Sequence, residues 1–383
     1  MNHTAVTLNL WCREHFAEQL SLLKALSVIP APSHQEDLRA TYIKDWLIRQ
    51  GTDNVTIDCA KNVVMTLGST TGPYLAVMAH TDVVFPDTTP LPLRESEGYL
   101  YSPGIGDDTA NVAALMMCVK FFLTYPHLIP EPLLIVFNSC EEGLGNLKGV
   151  RQIMDDFEGR IHSLVSFDCQ SDSIISRAVG SERWKVCVHT KGGHSFSDFG
   201  NTNAIAFLSK LVTKLYRQEV PQKENCHTTY NVGLISGGTS VNTIAQYAEM
   251  AYEYRSDDRE CLSIMAQQFQ DLIREAQSEE AAVQVTSLGI RPCGGNVSAH
   301  AHESLLNRCR AAIRCVYSMD PPLCAASTDA NIPLSLGIPA ATFGLYRGGG
   351  AHTRQEYVAI DSLTPGLEIA LRFFLNADMG THN

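Results

Sequence analysis

The chain has 383 residues, 45% of them hydrophobic, and a formal net charge of -12 at pH 7. This length and apolar content allow two domains, one of them built on a large buried sheet, and argue against a disordered chain. The acidic balance argues against a nucleic-acid partner, because binding to a phosphate backbone needs clustered Lys and Arg.

The first residues, 1–14, show no basic segment followed by an apolar one, and no stretch approaches the length needed to cross a bilayer. We therefore expect no membrane partner and, by default, a cytoplasmic location. The cysteines are scattered from Cys12 to Cys324 without a C-x-x-C pair. This pattern predicts reduced, mostly buried thiols rather than a disulfide framework.

The first predicted element is helical and covers residues 17–50, with a turn at residues 30–33. Short apolar runs that indicate strands come next, and polar residues follow each of them. These runs are residues 74–79 before His80, 133–137 before Glu141, 164–167 before Asp168 and 338–343 ahead of His352. A helical stretch at residues 110–122 separates the first two runs.

Strands that alternate with helices predict an α/β fold, with a mostly parallel mixed sheet flanked by helices. Such sheets bind ligands outside the carboxyl ends of their strands, and the polar residues named above lie at those ends. Unrelated surface polar residues would instead fall at either end of the strands. The sequence therefore predicts that four strand ends contribute to one site.

The segment from about residue 183 to residue 288 has a different pattern. Its predicted strands are residues 184–190, 228–234, 248–255 and 283–287, and its predicted helices are 203–218 and 261–277. The order β-α-β-β-α-β predicts a small α+β insert of the ferredoxin-like type. We therefore expect a catalytic domain formed by residues 1–182 and 291–383, with an inserted domain at residues 183–290.

His80 and Asp82 would share one face of a strand, because side chains alternate along a strand with a period of two. The imidazole could then bind a metal through one nitrogen while the carboxylate holds the proton on the other. A surface polar pair is the alternative interpretation. Asp107 and Asp108, in a glycine-containing loop before a helix, would form either an ordinary helix cap or a carboxylate shared between two cations.

Glu141 and Glu142 follow an apolar strand, where adjacent side chains can point to different sides of a cavity. One of them could bind a metal while the other handles protons. Neighbouring carboxylates repel one another unless cations or protons separate them, and a solvated turn is the alternative. With Asp168 and His352 they complete a set of two imidazoles and three carboxylates. That set suits two Zn²⁺ ions, and Mn²⁺ or Co²⁺ would also fit.

Seven short signatures occur in one order along nearly the whole chain. They are His80-Thr81-Asp82, Gly104-Ile105-Gly106-Asp107-Asp108, Cys140-Glu141-Glu142-Gly143, Ser166-Phe167-Asp168, Gly192-Gly193-His194-Ser195, Ser327-Thr328-Asp329-Ala330-Asn331 and Gly350-Ala351-His352-Thr353. Together they resemble the co-catalytic di-zinc exopeptidase family of glutamate carboxypeptidase, aminoacylase, peptidase T and succinyl-diaminopimelate desuccinylase. The resemblance implies a zinc exopeptidase fold with an inserted lid and dimerisation domain.

The resemblance also implies roles for the five candidate ligands. Asp107 would bridge the two zinc ions, His80 and Asp168 would bind one of them, and Glu142 and His352 would bind the other. Asp82 would support His80. Glu141 would be the general base, because a carboxylate can take a proton from a zinc-activated water near neutral pH.

Three residues of the insert enter through the same resemblance. His194 would reach the active site of a partner subunit in a homodimer, whereas the sequence alone indicates a loop histidine. Asn242 and Arg255 resemble the family's substrate-contacting positions. The guanidinium of Arg255 offers a planar fork to a substrate carboxylate, and a surface ion pair with Asp257 or Asp258 is the alternative.

The loop after Asp107 departs from the family, which usually continues with Lys and Gly where this chain has Thr109-Ala110-Asn111. The resemblance also implies a cis peptide bond between Asp107 and Asp108. We expect a substrate that is a small peptide or an N-acyl amino acid. Peptidase T-like or carboxypeptidase-like cleavage is favoured by the Gly-Asp-Asp loop, with N-acyl amino acid deacylation and a catalytically silent binding protein as alternatives.

Overall fold

A computed structural model describes residues 3–277 and 281–376 of the chain. The chain divides into two compact units. Unit 1 comprises Met1–Arg177 and Asn296–Asn383, and unit 2 comprises Ala178–Gly295. Unit 2 is therefore inserted into the sequence of unit 1. None of the helices within the described ranges is long and apolar enough to cross a membrane.

The α-helices differ in how much of their surface is buried. In the described residues they are α1 (His3–Glu14), α2 (Phe16–Ser27), α3 (Asp37–Arg49), α4 (Asn111–Thr124), α5 (Lys148–Asp156), α6 (Ala204–Leu215), α7 (Arg259–Ala276), α8 (Ala299–Tyr317), α9 (Asn331–Ser335) and α10 (Leu363–Leu375). Helix α4 is buried on nearly all sides, as expected of a helix that is apolar all round and packs inside a domain.

The β-strands range from two to eleven residues. In the described residues they are β1 (Thr56–Ile57), β2 (Val63–Leu67), β3 (Tyr74–His80), β4 (Arg94–Ser96), β5 (Tyr99–Tyr101), β6 (Leu133–Asn138), β7 (Ile161–Phe167), β8 (Ile174–Ala178), β9 (Gly180–Thr190), β10 (Gly193–His194), β11 (Thr228–Gly237), β12 (Thr243–Ile244), β13 (Tyr247–Ser256), β14 (Ala281–Arg291), β15 (Leu323–Ala326), β16 (Ala340–Phe343), β17 (Gly348–Gly349) and β18 (Tyr357–Ala359).

Unit 1 is built on an eight-stranded sheet with the order β1-β2-β6-β3-β7-β16-β8-β15. The central strands β6, β3, β7 and β16 run parallel, whereas β2 and β8 join them antiparallel. Every residue of β3 and β6 is buried, because helices cover both faces of a parallel sheet. The mostly parallel mixed sheet flanked by helices is confirmed.

The core of unit 1 joins the sheet to its helices through aromatic side chains. Phe167 of β7 and Phe343 of β16 pack edge to face, with ring centroids 5.2 Å apart. Phe373 of α10 lies 5.6 Å from Phe343 and 6.1 Å from Phe167. All three side chains are fully buried. The last helix of the chain is therefore part of the same core as the central strands.

A smaller four-stranded sheet in unit 1 has the order β17-β18-β5-β4. Its β17 and β18 pair antiparallel and are joined by a loop that contains His352. Strand β18 pairs with β5, and β5 leads into the loop that contains Asp107. This sheet therefore fixes two candidate site loops that are far apart in the sequence.

Unit 2 contains a four-stranded antiparallel sheet with the order β11-β13-β9-β14. Numbered by position within the unit, with the two-residue strands omitted, this is the order 2-3-1-4 of a ferredoxin-like fold. Alternate residues of β13 are buried, including Met250, Tyr252 and Tyr254, and they form one core with Leu208 of α6 and Phe269 of α7. The predicted ferredoxin-like insert is confirmed.

Candidate metal centre

Three of the candidate ligands of unit 1 lie where the sequence predicts, at or just after the carboxyl ends of adjacent parallel strands. His80 is the last residue of β3, Glu142 follows β6, and Asp168 follows β7 directly. Asp107 lies in the turn Ile105–Ala110, and His352 lies in the loop between β17 and β18. The five side chains thus come from five separate segments of the chain.

The five side chains form two groups that share Asp107. His80, Asp107 and Asp168 make one group, and Asp107, Glu142 and His352 make the other. In each group the possible ligand atoms all lie within 4.8 Å of one another. The two oxygens of Asp107 face different imidazoles, with Oδ1 at 3.0 Å from His80 Nε2 and Oδ2 at 3.0 Å from His352 Nε2.

These distances fit a metal centre. Two ligand atoms at about 2.0–2.1 Å from a tetrahedral Zn²⁺ lie about 3.3 Å apart. His352 Nε2 lies 3.3 Å from Glu142 Oε1. That oxygen is buried, and the ring of His352 is the charged partner beside it. A buried carboxylate is costly unless positive charge lies beside it, so the group suits a cation there.

The hydrogen bonds of His80 define which ring nitrogen is available to a metal. Its Nδ1 lies 3.1 Å from the main-chain oxygen of Asp82, which can only accept a hydrogen bond. Nδ1 therefore carries a proton, and Nε2, which lies 3.0 Å from Asp107 Oδ1, is the nitrogen available to a metal. The carboxylate of Asp82, the expected proton acceptor, lies beside the same nitrogen at 3.4 Å. The strand ends at His80, so Asp82 does not share a strand face with it.

The carboxylate of Asp82 also binds the segment of Glu141 and Glu142. Its Oδ1 accepts the main-chain N–H of Glu141 at 2.9 Å, and its Oδ2 accepts that of Glu142 at 3.0 Å. The hydroxyl of Ser33 donates to Oδ2 at 2.6 Å. Glu141 is buried, and its carboxylate forms a third compact group with His80 and Glu142. Asp82 therefore connects the β3 end of the centre to the β6 end.

The side chain of Asp108 makes different contacts from that of Asp107. Its Oδ2 accepts the main-chain N–H of His80 at 2.9 Å, and its Oδ1 accepts the side-chain amide of Asn111 at 2.5 Å. The peptide bond between Asp107 and Asp108 is cis, as predicted. Asp107 faces the two imidazoles, whereas Asp108 holds the backbone of β3. Asp107 is not a helix cap, because the N-cap residues of this turn and of α4 are Gly104 and Ala110.

Burial and mutual charge shift the pKa values of the centre. Burial raises the pKa of Asp168 to about 7, and the charge of Asp107 adds to this effect. Burial also raises the pKa of Glu142. Hydrogen bonds to Asp107 and Glu142 raise the pKa of His352 to about 11. The raised pKa values show that this cluster of carboxylates retains protons. A divalent cation would supply the positive charge in place of those protons.

Three buried charged residues that support the centre were missed in the sequence. Glu36 Oε1 accepts the main-chain N–H of Cys140 at 3.1 Å, just before Glu141. Arg39 donates through Nη1 to the main-chain oxygen of Thr81 at 3.0 Å. Glu356 binds the backbone of the Asp107 loop. Each acts on main-chain atoms and forms no recognisable sequence pattern with the ligands.

His194 and Asn242 are neighbours in unit 2. Strand β10, which contains His194, pairs with β12, and the main-chain N–H of Ser195 donates to Asn242 O at 3.0 Å. The exposed ring of His194 accepts main-chain N–H groups of Phe196 and Ser197 at Nδ1, at 3.2 and 3.3 Å. In the neutral ring the proton is therefore on Nε2, where it can be donated to a ligand.

Arg255 lies on β13 of unit 2, opposite Ser181 of β9. Its Nε and Nη2 each donate to the carboxylate of Glu253, both at 3.1 Å. The guanidinium is thus oriented by a residue two positions earlier on the same face of the strand. The alternative ion pair with Asp257 or Asp258 does not describe this contact, because the observed carboxylate is that of Glu253.

Comparison with known proteins agrees with this fold and with this set of side chains. Residues 76–376 match the sequence model of a family described as Peptidase family M20/M25/M40. Succinyl-diaminopimelate desuccinylase of Corynebacterium glutamicum is 24% identical over 362 residues, which cover 91% of this chain and 93% of that protein. The chain therefore belongs to the M20/M25/M40 peptidase family, as the resemblance predicted.

Solved structures share the fold. A tripeptidase from Staphylococcus aureus has a TM-score of 0.74 at 21% identity, covering 94% of this chain and 98% of that chain. A dinuclear metal-binding peptidase of the M20 family from Bacillus subtilis has a TM-score of 0.66 at 15% identity, covering 95% and 99%. The chain is a hydrolytic enzyme of the metallopeptidase and amidohydrolase class.

Proposed function

We propose that the chain is a di-metal exopeptidase that cleaves a peptide or peptide-like amide bond in a small substrate, in the manner of peptidase T or a carboxypeptidase. The observation that carries the proposal is the pair of ligand groups that share Asp107, each with one imidazole and two carboxylates. Shared carboxylates at this spacing are typical of two-metal hydrolytic sites.

The donor set suits two Zn²⁺ ions per subunit, with Mn²⁺ or Co²⁺ as substitutes. His80 and Asp168 would hold one ion, Glu142 and His352 would hold the other, and Asp107 would bridge them. When bound, the ions would supply Lewis acidity that polarises the scissile carbonyl and makes an attacking water acidic.

Glu141 is the proposed general base. It takes a proton from the attacking water and delivers it to the departing amine nitrogen as the C–N bond breaks, which leaves a carboxylic acid and an amine. Its main-chain N–H is held by Asp82 at 2.9 Å, so the position of its side chain is linked to that of His80. Burial of the side chain limits competing contact with bulk water.

Three residues of unit 2 are proposed to contact the substrate. His194 donates from Nε2 to the oxygen on which negative charge develops, because its Nδ1 already accepts two main-chain N–H groups. Arg255, oriented by Glu253, binds a free substrate carboxylate. Asn242 lies beside His194 and contacts the same substrate.

We also propose a homodimer that forms through unit 2, with His194 acting on the substrate of the partner subunit. Exposed apolar side chains of this unit support the proposal, because burying apolar surface stabilises association. Leu234 and Ile235 on edge strand β11 are 72% and 57% exposed. Phe196 and Phe199, next to His194, are also exposed. A cytoplasmic location stays a prediction.

The test compares Glu141→Gln with the adjacent variant Glu142→Gln after metal removal and reloading with Zn²⁺. We expect the wild type to bind two ions and to hydrolyse a small peptide. Glu141→Gln should bind two ions yet lose activity by about 10²–10⁴-fold. Glu142→Gln should lose one ion. A Glu141→Gln enzyme with wild-type activity, or a wild type that binds no divalent ion, would contradict the proposal.

N-acyl amino acid deacylation is the second candidate, and the relative named a succinyl-diaminopimelate desuccinylase favours it. A panel of free di- and tripeptides, amino-blocked peptides and N-acyl amino acids distinguishes the two activities. Cleavage only of substrates with a free amino end supports an aminopeptidase. A requirement for a free carboxylate supports a carboxypeptidase or a deacylase. Absence of any turnover by the zinc-loaded wild type would favour a silent binding protein.

A further inference from the structure

Glu356 is a buried carboxylate that takes no part in the candidate ligand groups. It lies four residues after His352, between that residue and strand β18, and it is only 1% exposed. A carboxylate is seldom fully buried unless other groups compensate its charge. Its hydrogen bonds show which groups compensate it here.

Both oxygens of Glu356 accept main-chain N–H groups from the loop that contains Asp107. Oε1 accepts from Gly106 at 2.8 Å and from Asp107 at 2.7 Å, and Oε2 accepts from Gly104 at 2.9 Å. Three donors on one carboxylate form a strong, charge-assisted arrangement. The carboxylate is therefore directed at the loop backbone.

The loop needs an acceptor from outside itself. Gly104 has φ +71, and Asp107 has φ -99 and ψ 91, so neither residue has helical geometry. Main-chain N–H groups in such a turn cannot all bind carbonyl groups of a preceding helical turn. Glu356 supplies an acceptor for three of them.

A second contact restrains the same loop. A Cβ atom added to Gly106 would lie 2.6 Å from the hydroxyl oxygen of Tyr346, so the backbone of Gly106 packs directly against that ring. Glu356 binds the N–H groups of the loop, and Tyr346 packs against it at Gly106. Asp107 extends from a backbone that is held at both contacts.

We propose that Glu356 is a positioning residue that sets Asp107 in place to be shared between two cations, by holding the main chain at Gly104, Gly106 and Asp107. This inference rests on the proposed function, in which Asp107 is the shared ligand. The segment from His352 to Glu356 would then contribute in two ways, with one direct ligand and one carboxylate that orients a second ligand.

The test is a Co²⁺ titration of EDTA-treated protein, followed by visible absorption, for wild type and Glu356→Gln. The amide nitrogen of Gln cannot accept a hydrogen bond, so at least one loop N–H loses its acceptor. We expect the wild type to bind two Co²⁺ ions. Glu356→Gln should bind at least one of them about 10–100-fold more weakly, with an altered absorption spectrum.

Glu368→Gln is the matched control. Glu368 is also buried and accepts charge-assisted hydrogen bonds from Arg372 at 2.7 and 3.0 Å, and it belongs to no candidate ligand group. This variant should melt at a lower temperature than the wild type but keep the wild-type Co²⁺ affinity. Co²⁺ should raise the melting temperature of Glu368→Gln as much as that of wild type, and that of Glu356→Gln less.

The inference is overturned if Glu356→Gln binds two Co²⁺ ions with wild-type affinity, or if both variants lose affinity equally. If Glu356→Gln fails to fold, the same Co²⁺ titration is made with Glu356→Asp. That variant keeps the negative charge, but its side chain is one methylene shorter, so the carboxylate lies farther from the loop N–H groups. Wild-type affinity in Glu356→Asp then overturns the inference, and weakened affinity supports it. A wild type that binds no Co²⁺ would instead reject the proposed function itself.

Discussion

The carboxylate of Asp82 accepts the main-chain N–H of Glu141 at 2.9 Å. The same carboxylate accepts the main-chain N–H of Glu142, and the main-chain oxygen of Asp82 accepts the ring proton of His80. One residue thus orients a candidate ligand on β3 and the backbone of the proposed base after β6. The centre depends on Asp82 for more than the support of one imidazole.

Asp82→Asn should therefore weaken both stability and catalysis. One of the two N–H groups would face an amide nitrogen, at a cost of about 1–3 kcal/mol for a buried donor left without an acceptor. Urea unfolding and steady-state kinetics measure the two effects, and we expect kcat to fall at least about tenfold. Ser33→Ala is the control, because it removes one hydroxyl donor and leaves both N–H bonds in place. Equal effects of the two substitutions would contradict this role for Asp82.

The metal-free protein should lose stability as pH rises. Burial raises the pKa of Asp168 from 3.8 to about 7, so its contribution falls as pH rises through that interval. Hydrogen bonds to Asp107 and Glu142 raise the pKa of His352 from 6.5 to about 11, so its contribution falls at higher pH. Burial likewise raises the pKa of Glu356 to about 7.

The measurement is thermal unfolding of EDTA-treated protein at about pH 5.5 and about pH 8.5. Between these values the contributions of Asp168 and Glu356 decline up to about pH 7, and that of His352 declines above about pH 6.5. We expect the lower Tm at the higher pH. Added Zn²⁺ should raise Tm more at the higher pH, because protons compete with the cation for the same side chains. An EDTA-treated protein with the higher Tm at alkaline pH would show that the cluster does not govern stability.

Gly104→Ala should destabilise the loop of Asp107. Gly104 has φ +71, which residues with a Cβ rarely adopt, and its added Cβ would lie 2.3 Å from Cγ1 of Val83. We expect a loss of about 1–3 kcal/mol in unfolding free energy, measured by urea denaturation. Gly98→Ala is the matched control, with φ +82 and no atom within 4 Å of the added Cβ. The control should lose about 1 kcal/mol in unfolding free energy. A larger loss in Gly98→Ala than in Gly104→Ala would contradict the prediction.

Arg255→Lys should raise KM for substrates with a free carboxylate. A lysine ammonium cannot reproduce the planar two-donor geometry of a guanidinium, and we expect an increase of about tenfold with a smaller change in kcat. The same substrate with its carboxylate amidated should be insensitive to the substitution. Arg274→Lys, which alters a surface ion pair with Asp271 on α7, should leave both constants unchanged. Equal KM values for wild type and Arg255→Lys would remove Arg255 from substrate binding.

Leu234→Asp should dissociate the proposed homodimer. Leu234 is 72% exposed on edge strand β11, where a charged side chain would be buried in a dimer interface through unit 2. Sedimentation velocity at micromolar concentration should give a dimer for wild type and a monomer for this variant. Leu336→Asp, at a 61% exposed position of unit 1, should remain dimeric. A monomeric wild type would reject the dimer.

The central strands were predictable because each is an apolar run. His80, Glu142 and Asp168 come after such runs, whereas Asp107 lies in a glycine-containing loop. The run ending before His80 is observed as Tyr74–His80, and that ending before Glu141 is observed as Leu133–Asn138. The expected helix at 110–122 is observed as Asn111–Thr124. Apolar periodicity reports burial, and burial in a parallel sheet fixes which strand end each polar residue occupies.

The supporting carboxylates could not be predicted in the same way. Glu36 and Glu356 act on main-chain N–H groups of loops that are distant in the sequence, at Cys140 and Asp107. Main-chain donors leave no side-chain pattern for a reader of the sequence to recognise. Asp82 was expected to bind the ring of His80 with its carboxylate. The carboxylate lies 3.4 Å from Nδ1, but the main-chain oxygen of Asp82 is closer, at 3.1 Å, because β3 ends at His80.

Because unit 2 interrupts unit 1 in the sequence, unit 1 can complete its fold during synthesis only after unit 2 has been translated. While the ribosome translates unit 2, the nascent β7 already exists, but its neighbour β16 and the covering helix α10 do not. Phe167 therefore lacks its packing partners Phe343 and Phe373 during this time. Its exposed aromatic ring can then bind chaperones or promote aggregation. His352 also lies in the last tenth of the chain, so only a nearly finished polypeptide contains all five candidate metal ligands.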